Sequence, residues 1–223
     1  MQIHATHAFQ FVSRRPERFL VTDLDNSLID SRARFNRAVS EATGCPLTAS
    51  PPVTDLKILR KEQRNKFYDV FLSGRYMDLD VPVKGSVEVL NRLKFAGLGI
   101  IYLTGRHHSR GNSLKSETLK TMLHYGYPMP DKAGVMLYLK PDKMSSTHEF
   151  KRRALERLAR RIDLVVGVDD EPEDVKVMTE IVPLVIGVAL SSQSAKEILS
   201  KVKVPIARDW LEVESIMKRR AII

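Results

Sequence analysis

Four short apolar runs punctuate the chain: "RFLVT" (18–22), "LGIIYLT" (98–104), "DLVVGV" (163–168) and "PLVIGVAL" (183–190). Each is rich in β-branched residues and none alternates with polar ones. A strand with one wet face alternates, whereas a strand covered on both faces does not. Helical stripes lie between the runs. Val87, Leu90 and Leu93 share a face before "AGLG", and Leu119, Met122 and Leu123 share one before "YGYP". Phe150, Ala154, Leu155, Leu158 and Ile162 make the clearest stripe. Buried strands alternating with helices predict an α/β, Rossmann-like fold, with a mostly parallel sheet and helices on both faces.

One segment breaks this rhythm. About fifty residues separate the first strand from the helix expected at 85–97, too many for an ordinary βα loop. "SRARFNRAVSEATG" (31–44) reads as a helix closed by Gly44, "CPLTASPPV" (45–53) as a turn-rich link, and "DLKILRKEQRNKFYDVFLSG" (55–74) as a second helix. Residues 31–82 are therefore expected to form a small, mainly helical cap insertion, with 1–30 and 83–223 as the core. Because the insertion leaves directly after two acids, it is expected to serve as a lid over the strand ends. Phe67, Phe71, Tyr68 and Tyr76 at helical spacing read as lid packing, with closure over a ligand as the alternative.

Open parallel sheets bind ligands at the carboxyl ends of their strands. The first strand ends in Asp23 and Asp25, followed by Asn26 and Ser27 in a turn. The second ends in Thr104, Gly105 and Arg106, and the third in Asp169 and Asp170, then Glu171, Glu173 and Asp174. Carboxylates brought this close raise one another's pKa unless a cation joins them. Oxygen ligands without a cysteine cluster point to Mg²⁺, which usually shares its shell with a phosphate. Asp23 and Asp25, two apart in a strand, point to the same face. One carboxylate can then attack phosphorus while the other moves protons. Thr104 and the Gly105 amide suit phosphate oxygens, and a lysine would balance the charge. Asn26, Ser27 and Arg106 are candidates for substrate binding. A solvated helix start is the other reading of Arg106, His107, His108 and Arg110.

Taken together, these motifs resemble the haloacid dehalogenase superfamily, and within it the Mg-dependent phosphatases with a small helical cap. "FLVTDLDNSLIDS" is similar to the first motif of that family, "IIYLTGR" to the second and "VVGVDDEPEDV" to the fourth. The third motif is a lysine upstream of the fourth. Lys151 in "STHEFKRRALERL" is favoured, with Lys140 and Lys143 as rivals. The resemblance spans residues 18 to 190 in the family's order. It implies that Asp23 is nucleophile and metal ligand, and that Asp25 is the acid/base, lending its backbone carbonyl to the metal. It further implies that Thr104 binds the phosphoryl group and that Lys151 steadies the charge. Asp169 or Asp170 would complete the Mg²⁺ shell, with Asp174 orienting or ligating. Ser27 stands where threonine is commoner, and Val-Asp-Asp replaces Gly-Asp, so the register between Asp169 and Asp170 stays open. The second acid, Asp25, argues against a dehalogenase; a phosphomutase stays open.

The formal net charge of +9 attracts anions, but its clusters at 57–66, 151–161 and 218–220 are scattered and read as solvated helix faces. A small phosphorylated substrate is the expected partner. Nucleic-acid ends, or phosphate binding without catalysis, are the alternatives. A single cysteine, Cys45, allows no internal disulfide. With no apolar run of membrane-spanning length and no continuous secretory stretch near Met1, a cytoplasmic protein without a membrane partner is expected.

Overall fold

The structure, a computed structural model, describes residues 16–46, 56–108, 113–131, 134–142 and 145–223. The described residues form eight strands and eight α-helices. In chain order they are β1 (Arg18–Thr22), β2 (Ile29–Asp30), α1 (Arg32–Thr43), α2 (Lys61–Phe71), β3 (Val81–Pro82), α3 (Ser86–Phe95), β4 (Gly99–His107) and α4 (Leu114–Tyr125). Then come β5 (Val135–Lys140), α5 (Thr147–Ala159), β6 (Asp163–Asp169), α6 (Pro172–Thr179), β7 (Leu184–Val188), α7 (Ser192–Lys201), β8 (Ile206–Ala207) and α8 (Trp210–Arg219). The four apolar runs are β1, β4, β6 and β7.

Six strands pair in the order β5-β4-β1-β6-β7-β8, and every pairing is parallel. β1 lies inside the sheet, between β4 and β6. Its residues bury on alternate sides. Leu20 joins Ile100, Val166 and Ile186 under α3 and α8, where Leu90, Trp210 and Val213 pack. Phe19 and Val21 join Ile101, Leu103 and Val185 on the other side, with Leu155, Val175 and Ile198. Each fully buried side chain of this kind contributes about 1.5–3 kcal/mol relative to exposure. Both faces are thus driven inward, which is why these strands carry no polar alternation. Gly99 is fixed by packing: a Cβ there would lie 2.2 Å from the Phe19 ring.

The helices α1 and α2 stand between β2 and β3, two residues each, which pair antiparallel and bring the chain back to the sheet. α1 ends at Gly44 in the left-handed region, φ 75°, the conformation a helix-terminating glycine adopts most easily. The helix expected over 55–74 is shorter. A 3-10 turn at Leu56–Ile58 precedes α2, and its end at Phe71 leads to a left-handed Tyr76. Ala38, Val39, Ala42, Phe67 and Val70 form a separate small core between the two helices. Phe67 stacks on Phe71 at 5.3 Å and meets Phe35 edge-on at 4.9 Å, so these rings pack the insertion's interior. Residues 47–53 of the expected link lie outside the described residues.

Candidate active site

β1 delivers Asp23 to the edge where β4 and β6 also end. The Asp23 amide donates to the Val168 carbonyl at 3.0 Å, continuing the β1–β6 ladder by one residue. The chain then turns sharply. Leu28 and Ile29 both return their amides to the Leu24 carbonyl at 2.9 Å. Asn26 sits at φ 57°, a region asparagine tolerates better than most residues, and its side-chain oxygen accepts the Ser31 hydroxyl at 3.1 Å. Three buried side chains hold this turn from behind. The Trp210 indole donates to the Ser27 carbonyl at 2.7 Å, and the Tyr127 and Ser86 hydroxyls reach the Leu28 carbonyl at 2.7 and 3.1 Å.

Thr104 is buried at the end of β4, its hydroxyl accepting the Arg106 amide at 3.2 Å. A Cβ on Gly105 would lie 2.9 Å from the Thr147 methyl, so glycine lets the first turn of α5 approach the strand end. That approach matters because α5 carries Lys151. Lys151 is buried, and its Nζ lies 3.0 Å from Asp23 Oδ1, 2.8 Å from Asp169 Oδ2 and 2.7 Å from Asp174 Oδ2. Lys140 Nζ instead lies 3.5 Å from the Thr147 hydroxyl, and Lys143 falls outside the described residues.

β6 ends in Asp169, Asp170 follows it, and the first turn of α6 supplies Asp174. Acids in that turn favourably face the positive end of the helix dipole. Asp169 also accepts the Glu171 amide at 3.0 Å, and Asp170 accepts the Ser27 hydroxyl at 3.1 Å. Asp174 meets His148 Nδ1 at 2.5 Å. One carboxylate oxygen from each of Asp23, Asp169 and Asp170 lies within 4.8 Å of the others. Burial pushes Asp23 well above the usual carboxylate range; Lys151 pulls it back in part, and Asp169 pushes it further up. Asp170 is raised for the same reasons, burial first and then the charges of Asp169 and Asp23. Burial works against the Lys151 ammonium, but the three acids around it win and raise its pKa. The site therefore holds more negative charge than one lysine balances.

Asp25 faces elsewhere. Its Oδ2 accepts from Arg106 Nε at 2.9 Å, its Oδ1 accepts from Arg106 Nη2 at 2.7 Å, and Arg34 of α1 also donates to Oδ1. Asp80, on the return from the insertion, joins Arg34 at 2.8 Å and Arg106 at 3.2 Å. Burial alone would raise Asp25, but the two guanidiniums outweigh it and hold its carboxyl well below the usual range. The Arg106 guanidinium is thus engaged within the protein, with a further bond to Thr118 at 3.0 Å, and does not line the open part of the site. His107 is buried, His108 is exposed, and Arg110 lies outside the described residues.

Beside the acids opens a cavity of about 610 Å³ between α1 and the turn from β7 to α7. Asn26 and Asp170 line its inner end, with Phe35, Leu79, Leu190 and Ser194 around it. The "SSQS" stretch after β7 (191–194) borders this space through Ser191 and Ser194. Among the described residues no helix is long and apolar enough to cross a membrane.

No family model matches the chain, and no curated protein matches it. Solved structures do. A haloacid dehalogenase-like family hydrolase from Streptococcus pneumoniae superposes with a TM-score of 0.64 at 14% identity, over 91% of this chain and 98% of that one. A predicted phosphatase from Clostridium acetobutylicum gives 0.63 at 16% identity, over 94% and 100%. Protein tyrosine kinase A from Mycobacterium tuberculosis gives 0.65 at 18%, over 91% and 98%. The chain has the haloacid dehalogenase-like fold. The likeness covers 98–100% of each of those chains. In this fold, the strand ends that bring Asp23, Thr104 and Asp169–Asp170 together are those of neighbouring strands, β4, β1 and β6.

Proposed function

We propose that the protein is a Mg²⁺-dependent phosphatase of the haloacid dehalogenase superfamily, acting on a small phosphomonoester through an aspartyl-phosphate on Asp23. The observation that carries this reading is the placement of Asp23: at a central strand end, against Lys151, grouped with Asp169 and Asp170, beside an open cavity. The names of the neighbouring structures, a hydrolase and a predicted phosphatase, support it. The cluster fits a hard divalent ion. Its donors are three carboxylate oxygens, with neither sulfur nor imidazole among them, and all three acids are raised, chiefly by burial. Asp23, Asp169 or Asp170, and the Asp25 carbonyl would hold it, with Asp174 tied to the cluster through Lys151. When bound, Mg²⁺ would offset the acids' charge and polarise the phosphoryl oxygens.

The chain's own groups do the rest. Asp23 attacks phosphorus, and the bond to the ester oxygen breaks, its electron pair leaving with that oxygen. Asp25, held as the carboxylate by Arg34 and Arg106, takes a proton from the water that attacks the aspartyl-phosphate, which restores Asp23 and releases phosphate, and that proton serves the departing oxygen of the next turnover. Lys151 stays charged throughout and steadies Asp23 and the incoming phosphoryl group. Thr104 and the Gly105 amide hold phosphoryl oxygens, and Asn26 and Ser27 shape the turn around them. The leaving group occupies the cavity by α1. Its mixed lining of Phe35, Leu79, Leu190, Asn36 and Ser194 suits a small organic alcohol. Arg32, at its rim, is clamped by Asp30 at 2.8 and 2.6 Å, which disfavours a nucleic-acid backbone there.

The test is phosphate release from p-nitrophenyl phosphate with and without Mg²⁺. Release should require the metal and vanish in Asp23→Asn. Undiminished release by that variant would defeat the reading.

A further inference from the structure

The group formed by Asp25, Arg34, Asp80 and Arg106 is not needed to make the sheet or to hold the acidic cluster. Four charged side chains nevertheless meet there, and three of them, Arg34, Asp80 and Arg106, have fully buried side chains. They come from four places: the turn after β1, the first helix of the insertion, the return strand's edge and the end of β4. Two cations and two anions balance, so the group is neutral within itself. Arg34 is further fixed by the Phe71 carbonyl at 2.9 Å and by the Phe71 ring, whose centroid lies 4.1 Å from its guanidinium carbon. Arg34 is therefore bound to both helices of the insertion while it reaches Asp25 in the core.

The exposure is one-sided. The Asp25 side chain retains 20% of its accessible surface, whereas both arginines retain none. The guanidiniums thus hold both carboxylate oxygens of Asp25 and leave only a small part of the side chain accessible. A carboxylate held by the Arg106 fork and by a further bond from Arg34 cannot rotate freely, and such fixing of a proton-transfer group is a large part of its effectiveness.

We propose that Arg34, carried by the insertion, is a positioning residue that sets Asp25 in place to take the proton from the attacking water, with Arg106 and Asp80 as its frame. The inference rests on the phosphatase reading above. It makes the insertion part of the proton-transfer apparatus as well as a wall of the cavity. If the insertion shifts, Arg34 shifts with it, and Asp25 loses one of its two guanidinium partners.

The experiment uses the full chain with Mg²⁺ and p-nitrophenyl phosphate, whose acidic leaving group departs without a proton, so that the first step does not depend on Asp25. Arg34→Met should lower kcat by roughly 10- to 100-fold, as expected for a misplaced catalytic group. KM should not rise. The phosphorylated fraction of the enzyme, trapped by acid quench in the steady state, should increase, because water attack slows while formation of the intermediate does not. Arg34→Lys should recover part of the lost kcat. The double variant Arg34→Met with Asp80→Asn removes a buried charge of each sign and guards against loss of fold; it should show the same accumulation. An unchanged kcat, or a fall in kcat without accumulation in both the single and the double variant, overturns the positioning role while wild-type turnover keeps the phosphatase reading. A wild-type protein that releases no phosphate overturns that reading and this inference with it.

Discussion

Replacing Lys151 by methionine keeps an aliphatic stem of similar length and removes the one charge that Asp23, Asp169 and Asp174 share. All three contacts are short, 3.0, 2.8 and 2.7 Å, and buried, so water cannot replace the ammonium cheaply. Removing one partner of a buried ionic group typically costs about 3–5 kcal/mol. The loss should depend on pH. In the wild type, burial already raises Asp23 and Asp169 above the usual carboxylate range, and Lys151 offsets part of that rise. Without the ammonium both move higher still. Between the unfolded carboxyl value, about 4, and those raised values, the folded variant holds protons that the unfolded chain has released. Folded-state stability then falls as pH rises through this window, by about 1.4 kcal/mol per pH unit for each proton held. The variant's deficit should be largest near pH 8 and shrink toward pH 5. Urea unfolding of both proteins at three pH values, in chelator so that no metal intervenes, measures it. A deficit under about 1 kcal/mol at pH 8, or one that fails to shrink on acidification, would refute the claim that Lys151 balances these acids.

Two further outcomes follow from the same geometry. Mg²⁺ at 100 times its Kd should stabilise the wild type by about 2.7 kcal/mol, and Asp170→Asn should lose a clear part of that gain; an equal gain in both proteins would remove Asp170 from the metal site. Trp210→Phe takes away the indole donor that meets the Ser27 carbonyl at 2.7 Å and should cost about 1–3 kcal/mol, read by circular dichroism because Trp210 is the only tryptophan. A loss of a few tenths would mean that the turn carrying the acids does not depend on that bond.

The sheet was legible where burial acts on both faces. β1, β4, β6 and β7 are interior strands, and their unbroken apolar runs announce them. β5 escaped because it is an edge strand, half-exposed along Met136 to Tyr138, and "VMLYLK", though bounded by Gly134 and Pro141, has a single β-branched residue and reads as readily as a helix segment. β8 has two residues, too few for any pattern. The acids were legible because each follows a strand directly. Arg34 and Asp80 were not. In "RARFNRA" and "DLDVP" they look like ordinary surface charges, and their pairing spans 46 positions that only the folded insertion brings together. The same holds for Trp210, whose bond to Ser27 spans 183 positions. Arg106 was singled out for a phosphate, since sequence shows a cation at a strand end but not which anion it faces; in the structure its fork meets Asp25 and Asp80. His148 carries no signal in the sequence, and its position on the first turn of α5 sets it against Asp174.

The central claim is that Asp23 carries the phosphoryl group. Acid quench of the enzyme during turnover of p-nitrophenyl phosphate with Mg²⁺, followed by peptide mass spectrometry, tests it directly. The account predicts one phosphoryl group on the peptide that contains Asp23, absent in Asp23→Asn. A phosphoryl group on another residue, or turnover with the Asp23 carboxylate replaced, would contradict it.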